Sequence, residues 1–153
     1  MIFTIMEFQF CSVRSAKDIF ISLSLIILGF VLMFMPDRAG MNIGGFFLFL
    51  IGALFLFLFK SVYTLNGGKE KYIKKEFYFS QEHNHALLKA VLDNPKSIDL
   101  SAEGRGKTIK LNLYYSIEGG KAYLQLFEYI PYAYEPLTAM LEYDVKEVSN
   151  LIK

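Results

Sequence analysis

A chain of 153 residues has room for one ordinary domain, or for a small domain beside a second segment. Its hydrophobic fraction of 54% is unevenly spread, because twelve of the fifteen phenylalanines precede Lys60 and all ten tyrosines follow it. A single cysteine excludes an intrachain disulfide. The net charge of −3 over residues 76–153, from eight basic and eleven acidic side chains, argues against nucleic acid as a partner.

The N-terminal segment, residues 1–17, is rich in Ile, Phe and Val, which favours a β-strand. An interfacial helix lying on the membrane is the alternative. The segment lacks the basic start and small-residue cleavage site of a signal peptide, so we expect the apolar stretch behind it to be retained. In a strand, one side would carry Thr4, Met6, Phe8 and Phe10.

Two stretches without charge follow, residues 19–36 and 39–59. At about 1.5 Å per residue they reach roughly 27 and 31 Å, close to the roughly 30 Å hydrocarbon core of a bilayer. We therefore predict a transmembrane hairpin within residues 18–59, with spans at about 19–36 and 41–59. No ionisable residue enters either span, which argues against a channel or a proton-coupled transporter.

Small residues recur seven positions apart in both predicted spans, which is typical of a close-packing seam between helices. Such a seam would pack the hairpin on itself or join two copies of the protein, so a homo-oligomer through the hairpin is one expectation. The seam residues are Ser22, Gly29, Gly45 and Gly52.

Lys and Arg beside the spans predict the orientation. Arg38 is alone in the connecting turn, whereas the other basic residues flank the outer ends of the hairpin: Arg14, Lys17, Lys60, Lys69, Lys71, Lys74 and Lys75. We therefore expect a multi-pass protein of a bacterial cytoplasmic (inner) membrane, with both termini in the cytoplasm. Cys11 would then lie in a reducing compartment.

Basic side chains are also candidates for contact with lipid headgroups, mostly in the linker of residues 60–75. The loop SAEGRGKT adds two more and resembles a phosphate-binding loop without its first glycine. Because a strand rather than a helix follows it, we expect no nucleotide and no other cofactor. The headgroup candidates are Lys69, Lys71, Lys74, Lys75, Arg105 and Lys107.

Residues 76–153 are predicted to form a cytoplasmic α+β domain, an antiparallel sheet with two helices on one face. A first strand ends at Ser80, which should cap a helix over residues 81–93. Its predicted buried stripe is Leu87, Leu88, Val91 and Leu92. A short strand is expected at residues 97–101.

Alternating apolar residues then predict two strands, over residues 109–117 and 122–130, joined by a tight turn at 118–121. This register sets Leu113 against Leu126 and Leu111 against Glu128. Residues 129–136 are predicted as a connection, and the segment LTAMLEY as a last strand. A final helix begins at Asp144, where Glu147 completes a capping box. The two spans with a small β-rich domain are similar in outline to bacterial membrane proteins that carry a pleckstrin-like domain.

The two histidines, His83 and His85, lie two positions apart in a predicted helix. Side chains at that spacing diverge by roughly 200°, so the pair cannot jointly hold one ion, and no metal site is expected. Glu128 is the one candidate for an acid in catalysis, but no nucleophile or base accompanies it in the sequence. We therefore expect the protein not to be an enzyme.

Tyrosines around the predicted connection suit a surface that binds another protein, since Tyr offers large area and one hydrogen bond. The candidate surface is Tyr129, Tyr132, Tyr134 and Glu135. We expect a small integral membrane protein whose cytoplasmic domain is a protein-binding or regulatory module, with membrane lipids and an unknown protein as partners. A membrane immunity or stress-protection protein acting through the hairpin is the alternative, and a membrane-surface enzyme is a third possibility.

Overall fold

The computed structural model describes residues 8–153, so the predicted placement of Thr4 and Met6 lies outside the described residues. The chain divides into two compact units. Residues 12–62 form one, named here the hairpin unit. Residues 63–153, with the described residues before Ser12, form the other, named here the sheet unit.

The hairpin unit contains two long apolar helices, α1 (Ala16–Met33) and α2 (Ala39–Leu58). Length and composition would allow both to cross a membrane. α1 begins three residues before the predicted span because Ser15 and Asp18 form a capping box, in which each side chain accepts the other residue's backbone N–H.

Small residues line the contact between α1 and α2. Ser22 and Gly29 are buried in α1, as are Gly45 and Gly52 in α2. A Cβ atom on Gly45 would lie 2.7 Å from the carbonyl oxygen of Gly29, so the two backbones touch where a side chain would not fit. The large apolar side chains point outward, and Phe20 is 74% exposed.

The sheet unit is built on a seven-stranded sheet in the order β1-β2-β3-β4-β5-β6, with β7 paired to β5. All pairs from β2 onward are antiparallel. The sequence did not predict β2, which lies within the residues assigned to the linker. The strands are β1 (Phe10–Val13), β2 (Val62–Leu65), β3 (Lys71–Phe79), β4 (Ile109–Ser116), β5 (Lys121–Ile130), β6 (Ala133–Pro136) and β7 (Leu141–Asp144).

One face of this sheet carries the main hydrophobic core, which packs against α3 (Asn84–Asp93) and α4 (Ser149–Ile152). The alternation of apolar residues along β3, β4 and β5 places their buried side chains on this face. The predicted antiparallel sheet with helices packed on it is confirmed. The core includes Phe77, Phe79, Leu87, Val91, Ile109, Leu111, Leu113, Leu124, Leu126, Val148 and Leu151.

Strand side chains satisfy backbone carbonyls at the ends of both helices. The Lys75 ammonium donates to the Ile152 carbonyl at 2.6 Å, and the Tyr143 hydroxyl donates to the Val91 carbonyl. The last carbonyls of a helix have no partner within it, so these donors stabilise the helix ends. The predicted capping box of Asp144 and Glu147 is also confirmed, and a 3₁₀ turn over Val145–Val148 precedes α4.

The predicted register of the β4–β5 hairpin is wrong by two residues. Leu113 pairs with Leu124, and Leu126 pairs with Leu111. The Ser116 hydroxyl accepts the Gly119 N–H at 2.7 Å, which folds residues 117–120 into a four-residue turn in place of a two-residue one. Because the shift is even, every side chain keeps its predicted face of the sheet.

The strand predicted at residues 97–101 is also wrong. Two 3₁₀ turns stand there, Pro95–Ser97 and Leu100–Ala102, because the side chains of Asn94 and Asp99 each accept a nearby backbone N–H. In α3 the buried stripe includes Ala90 in place of Leu92, which is 52% exposed.

The opposite face of the sheet, named here the open face, carries an aromatic cluster. Tyr72, Tyr114 and Tyr123 are buried there, and Phe8 and Phe10 pack on them. The Phe10 ring stacks on that of Tyr114 with centroids 3.9 Å apart. Phe8 and Phe10 therefore cover this aromatic cluster.

A polar network lies beside this cluster, formed by the exposed Glu70 with the buried Tyr72 and Ser116. One oxygen of Glu70 accepts the Ser116 hydroxyl at 2.6 Å, and the other accepts the Tyr72 hydroxyl at 2.7 Å. These two hydrogen bonds hold the pKa of the Glu70 carboxyl below its usual value, against the opposing effect of burial. Glu70 therefore links the start of β3 to the end of β4.

Candidate functional site

The tip of the β5–β6 hairpin exposes an aromatic side chain. Residues 129–136, predicted as a connection, contain β6, so that prediction is wrong. Ile130 pairs with Ala133 across a two-residue turn of Pro131 and Tyr132. Tyr132 has a φ of 80° and is 97% exposed.

This backbone conformation is unusual for tyrosine. Proline followed by a positive φ is the pattern of a type II turn, in which Gly or Asn normally occupies the second position. The left-handed region costs a side-chain-bearing residue roughly 1–2 kcal/mol. Residues in such sparsely populated backbone conformations cluster at binding and active sites. They persist there because the surrounding structure compensates for their energetic cost.

Half-exposed residues surround Tyr132. Tyr129 and Ile130 are 48% and 42% exposed, and the rings of Tyr129 and Tyr134 lie 5.3 Å apart. The Tyr134 hydroxyl donates to the Lys107 carbonyl at 2.6 Å. A shallow cleft is thereby formed, and its lining is Lys107, Thr108, Tyr129 and Tyr134.

Lys110 lies on the open face beside this cleft. Its ammonium is 4.4 Å from the centroid of the Tyr134 ring and 4.9 Å from that of Phe127. Both distances suit cation–π attraction, which directs the ammonium along the ring faces. The cleft, Tyr132 and Lys110 together are named here the tyrosine end.

Basic side chains lie near the tyrosine end. Arg105 and Lys107 are exposed, and neither they nor Lys110 take part in the two ion pairs found among residues 8–153, which join Lys74 to Glu76 and Lys121 to Glu142. Burial tends to raise the pKa of Glu76, but hydrogen bonds from Lys74 and Tyr78, with the charges of Lys74 and Lys110, outweigh it and lower that pKa.

Comparison with protein-family models, with curated proteins and with solved structures finds no match. Function must therefore be inferred from the chain's own residues.

The structure brings together three of the four residues predicted as a partner surface. Tyr129, Tyr132 and Tyr134 lie at the tyrosine end, whereas β-strand alternation places Glu135 on the helix-bearing face, opposite Glu128. Glu128 accepts a hydrogen bond from the Gln81 side chain at 2.8 Å. Glu128 therefore lies apart from the tyrosine end.

The residues predicted to contact lipid fall into separate places. Lys69 and Lys71 are exposed near the start of β3, whereas Lys74 is paired with Glu76 and Lys75 caps α4. Arg105 and Lys107 precede β4, at the other end of the sheet from Lys71. At about 3.3 Å per residue, the length of β3 separates these two basic groups by roughly 26 Å.

The histidines also separate. His83 Nδ1 lies 3.0 Å from the Ser80 hydroxyl, so this hydroxyl meets a side chain at the helix start and not the backbone N–H expected of a cap. His85 is exposed. His83 borders a cavity of about 80 Å³, well below the roughly 300 Å³ of the smallest usual ligand pockets.

Asp18 is a buried polar residue that the sequence analysis missed. It is 3% exposed, and its carboxylate accepts the Ser61 backbone N–H at 3.0 Å and the Ser61 hydroxyl at 2.7 Å. This contact joins the start of α1 to the chain just after α2. The Ser-x-x-Asp spacing of Ser15 and Asp18 was the available signal, because it is typical of a helix start.

Lys110 was missed at the tyrosine end. Its signal was alternation, because Lys110 lies in a strand in phase with Tyr114. The sequence could not indicate that Lys110 faces Phe127, because that pairing depends on the register.

Proposed function

We propose that this chain is a small integral membrane protein whose sheet unit binds another protein through the tyrosine end. The observation that carries the proposal is Tyr132, a fully displayed side chain held in a costly backbone conformation. No catalytic role is assigned to any residue.

Membrane insertion is supported by the outward surface of the hairpin unit. Phe20 and Phe57, on α1 and α2, are 74% and 69% exposed, and many Ile, Leu and Phe side chains around them are exposed as well. Contiguous apolar surface of this extent is rare on proteins in water. Lys and Arg are in excess beside the two outer ends of the hairpin unit, relative to the turn between its helices. This excess favours a cytoplasmic location for both termini of the chain.

Partner binding is supported by the chemistry of the tyrosine end. Tyr is enriched among the residues that dominate binding energy at interfaces, because it brings large area at low entropy cost. Tyr132 and Tyr129 would bury most of this area, and Tyr134 would form its border.

The edge strand itself is a poor site for strand addition. β6 has four residues and ends at Pro136, which cannot donate a backbone hydrogen bond. Short strands and proline are common ways to prevent pairing at a sheet edge. The proposal therefore assigns binding to side chains.

The experiment is mild crosslinking of the full chain in its own membranes, followed by capture and mass spectrometry. Tyr132→Gly should remove the partner while preserving the fold, because Gly adopts a positive φ readily. Leu92→Ala, at an exposed apolar position on α3, is the matched control and should retain it. A partner retained by Tyr132→Gly at wild-type yield would contradict the proposal.

A further inference from the structure

The partner's chemistry can be inferred from the charges of the tyrosine end, an inference that rests on the function proposed above. Lys107 and Lys110 form no ion pair among residues 8–153. Glu76, on the same face, is occupied by Lys74 and Tyr78. Positive charge is therefore left at the mouth of the cleft.

The side chain of Lys110 is already oriented. Phe127 and Tyr134 hold its ammonium along their ring faces, so an incoming anion would not need to order a free lysine side chain. Lys107 is held through its backbone, because its carbonyl accepts the Tyr134 hydroxyl. The Lys107 side chain takes no part in that bond and remains exposed.

Aromatic and apolar groups lie directly beside these cations. Tyr129 and Tyr134 line the cleft together with Lys107, and Tyr132 lies at the turn between the two strands that carry them. A ligand that matches this arrangement has a carboxylate next to apolar side chains. Opposite charges across an interface also suppress wrong partners, because like charges brought together cost several kcal/mol.

We propose that the partner presents an acidic segment, with an Asp or Glu carboxylate bound by Lys107 and Lys110 and apolar side chains packed on Tyr129 and Tyr132. A protein segment is favoured over an anionic lipid surface. The basic residues near the start of β3 lie about 26 Å away, by the length of that strand, so the two basic groups do not form one patch.

The test places a photo-crosslinking amino acid at Tyr129 in the full chain, within its own membranes, and identifies the crosslinked peptide by mass spectrometry. We expect a peptide with Asp or Glu within a few residues of the crosslink. Lys107→Glu should lower the crosslinking yield about tenfold, and Lys107→Arg should retain it. Raising salt from about 50 to about 500 mM should also lower the yield.

Lys89→Glu is the matched control, since it makes the same charge change at an exposed position of α3. Unchanged yield in Lys107→Glu, or crosslinks to lipid in place of peptide, would overturn the acidic segment. If Tyr132→Gly abolishes the crosslink and Lys107→Glu does not, the acidic segment fails and the proposed function stands. If neither variant affects the crosslink, both fail.

Discussion

The two units of this protein have opposite arrangements of polar and apolar groups. The hairpin unit buries Asp18 and the small residues of its seam and exposes phenylalanines, whereas the sheet unit buries Phe79 and Leu111 and exposes lysines and glutamates. An apolar solvent around the first unit and water around the second would produce this difference. The same chain therefore uses close backbone contact in one unit and a side-chain core in the other.

The largest expected effect concerns the glycine contact in the hairpin unit. In Gly45→Leu even the new Cβ atom would lie 2.6 Å from the Met33 nitrogen, so the helices must separate. We expect the free energy of unfolding to fall by about 3 kcal/mol, since the backbone cannot move aside as a flexible side chain does. The measurement is helix content of the full chain during titration with a denaturing detergent.

Gly44→Leu is the matched control, because a Cβ atom on Gly44 meets nothing within 4 Å. Equal loss in the two variants would show that helix propensity, and not contact between the backbones, limits stability.

The next effect concerns the polar contact at the ends of the same helices. Asp18→Ala would leave the Ser61 N–H and the Ser15 N–H without their acceptor. Losing hydrogen bonds to a charged group costs about 2 kcal/mol. The same detergent titration measures this loss. Ser24→Ala serves as a comparison, because its exposed hydroxyl bonds only to its own helix, and it should have little effect.

A smaller effect in the sheet unit depends on pH. The folded pKa of Glu70 lies below its usual 4.5, so its contribution is present above pH 4.5 and is lost as the pH falls through the folded pKa. Glu70→Gln should cost about 1 kcal/mol at pH 7, after allowance for screening at this partly exposed carboxylate. Thermal unfolding of the full chain in mild detergent measures the loss.

The cost of Glu70→Gln should shrink toward zero as the solution becomes more acidic than pH 4.5. Glu118→Gln, at the exposed β4–β5 turn, removes the same charge from the surface and is the comparison variant for this measurement. A cost for Glu70→Gln that is the same at low and neutral pH would assign its effect to shape and not to charge.

The smallest effect is a gain at the tyrosine end. Tyr132→Gly relieves the strain of the positive φ but makes the unfolded chain more flexible. The two effects nearly cancel, so the free energy of unfolding should rise by about 0.5 kcal/mol or less. Hydrogen exchange of β5 and β6 measures it. A loss greater than 1 kcal/mol would mean that the Tyr132 side chain supports the fold.

The long helices were predicted from uncharged stretches long enough to cross a bilayer, and the central strands from the alternation of apolar and polar residues. Both signals are local in the sequence. Three features that depend on single side chains were predicted wrongly, although the capping box of Asp144 and Glu147 was predicted correctly. The Ser116 hydroxyl changed the register, Asp99 replaced a strand by a turn, and Tyr132 occupied a turn position normally reserved for Gly. At the candidate site the tyrosines were predictable from composition, whereas Lys110 became apparent only through pairing across β4 and β5.

Water access to single cysteines tests the contrast between the two units most directly. In a Cys11→Ser background, one cysteine at Phe57, Leu92 or Pro36 is treated with a membrane-impermeable maleimide, before and after permeabilisation of cells. Phe57 and Leu92 are both more than half exposed in the structure. We predict no labelling at Phe57, labelling at Leu92 only after permeabilisation, and labelling at Pro36 in intact cells. Rapid labelling at Phe57 in permeabilised cells would contradict the membrane account.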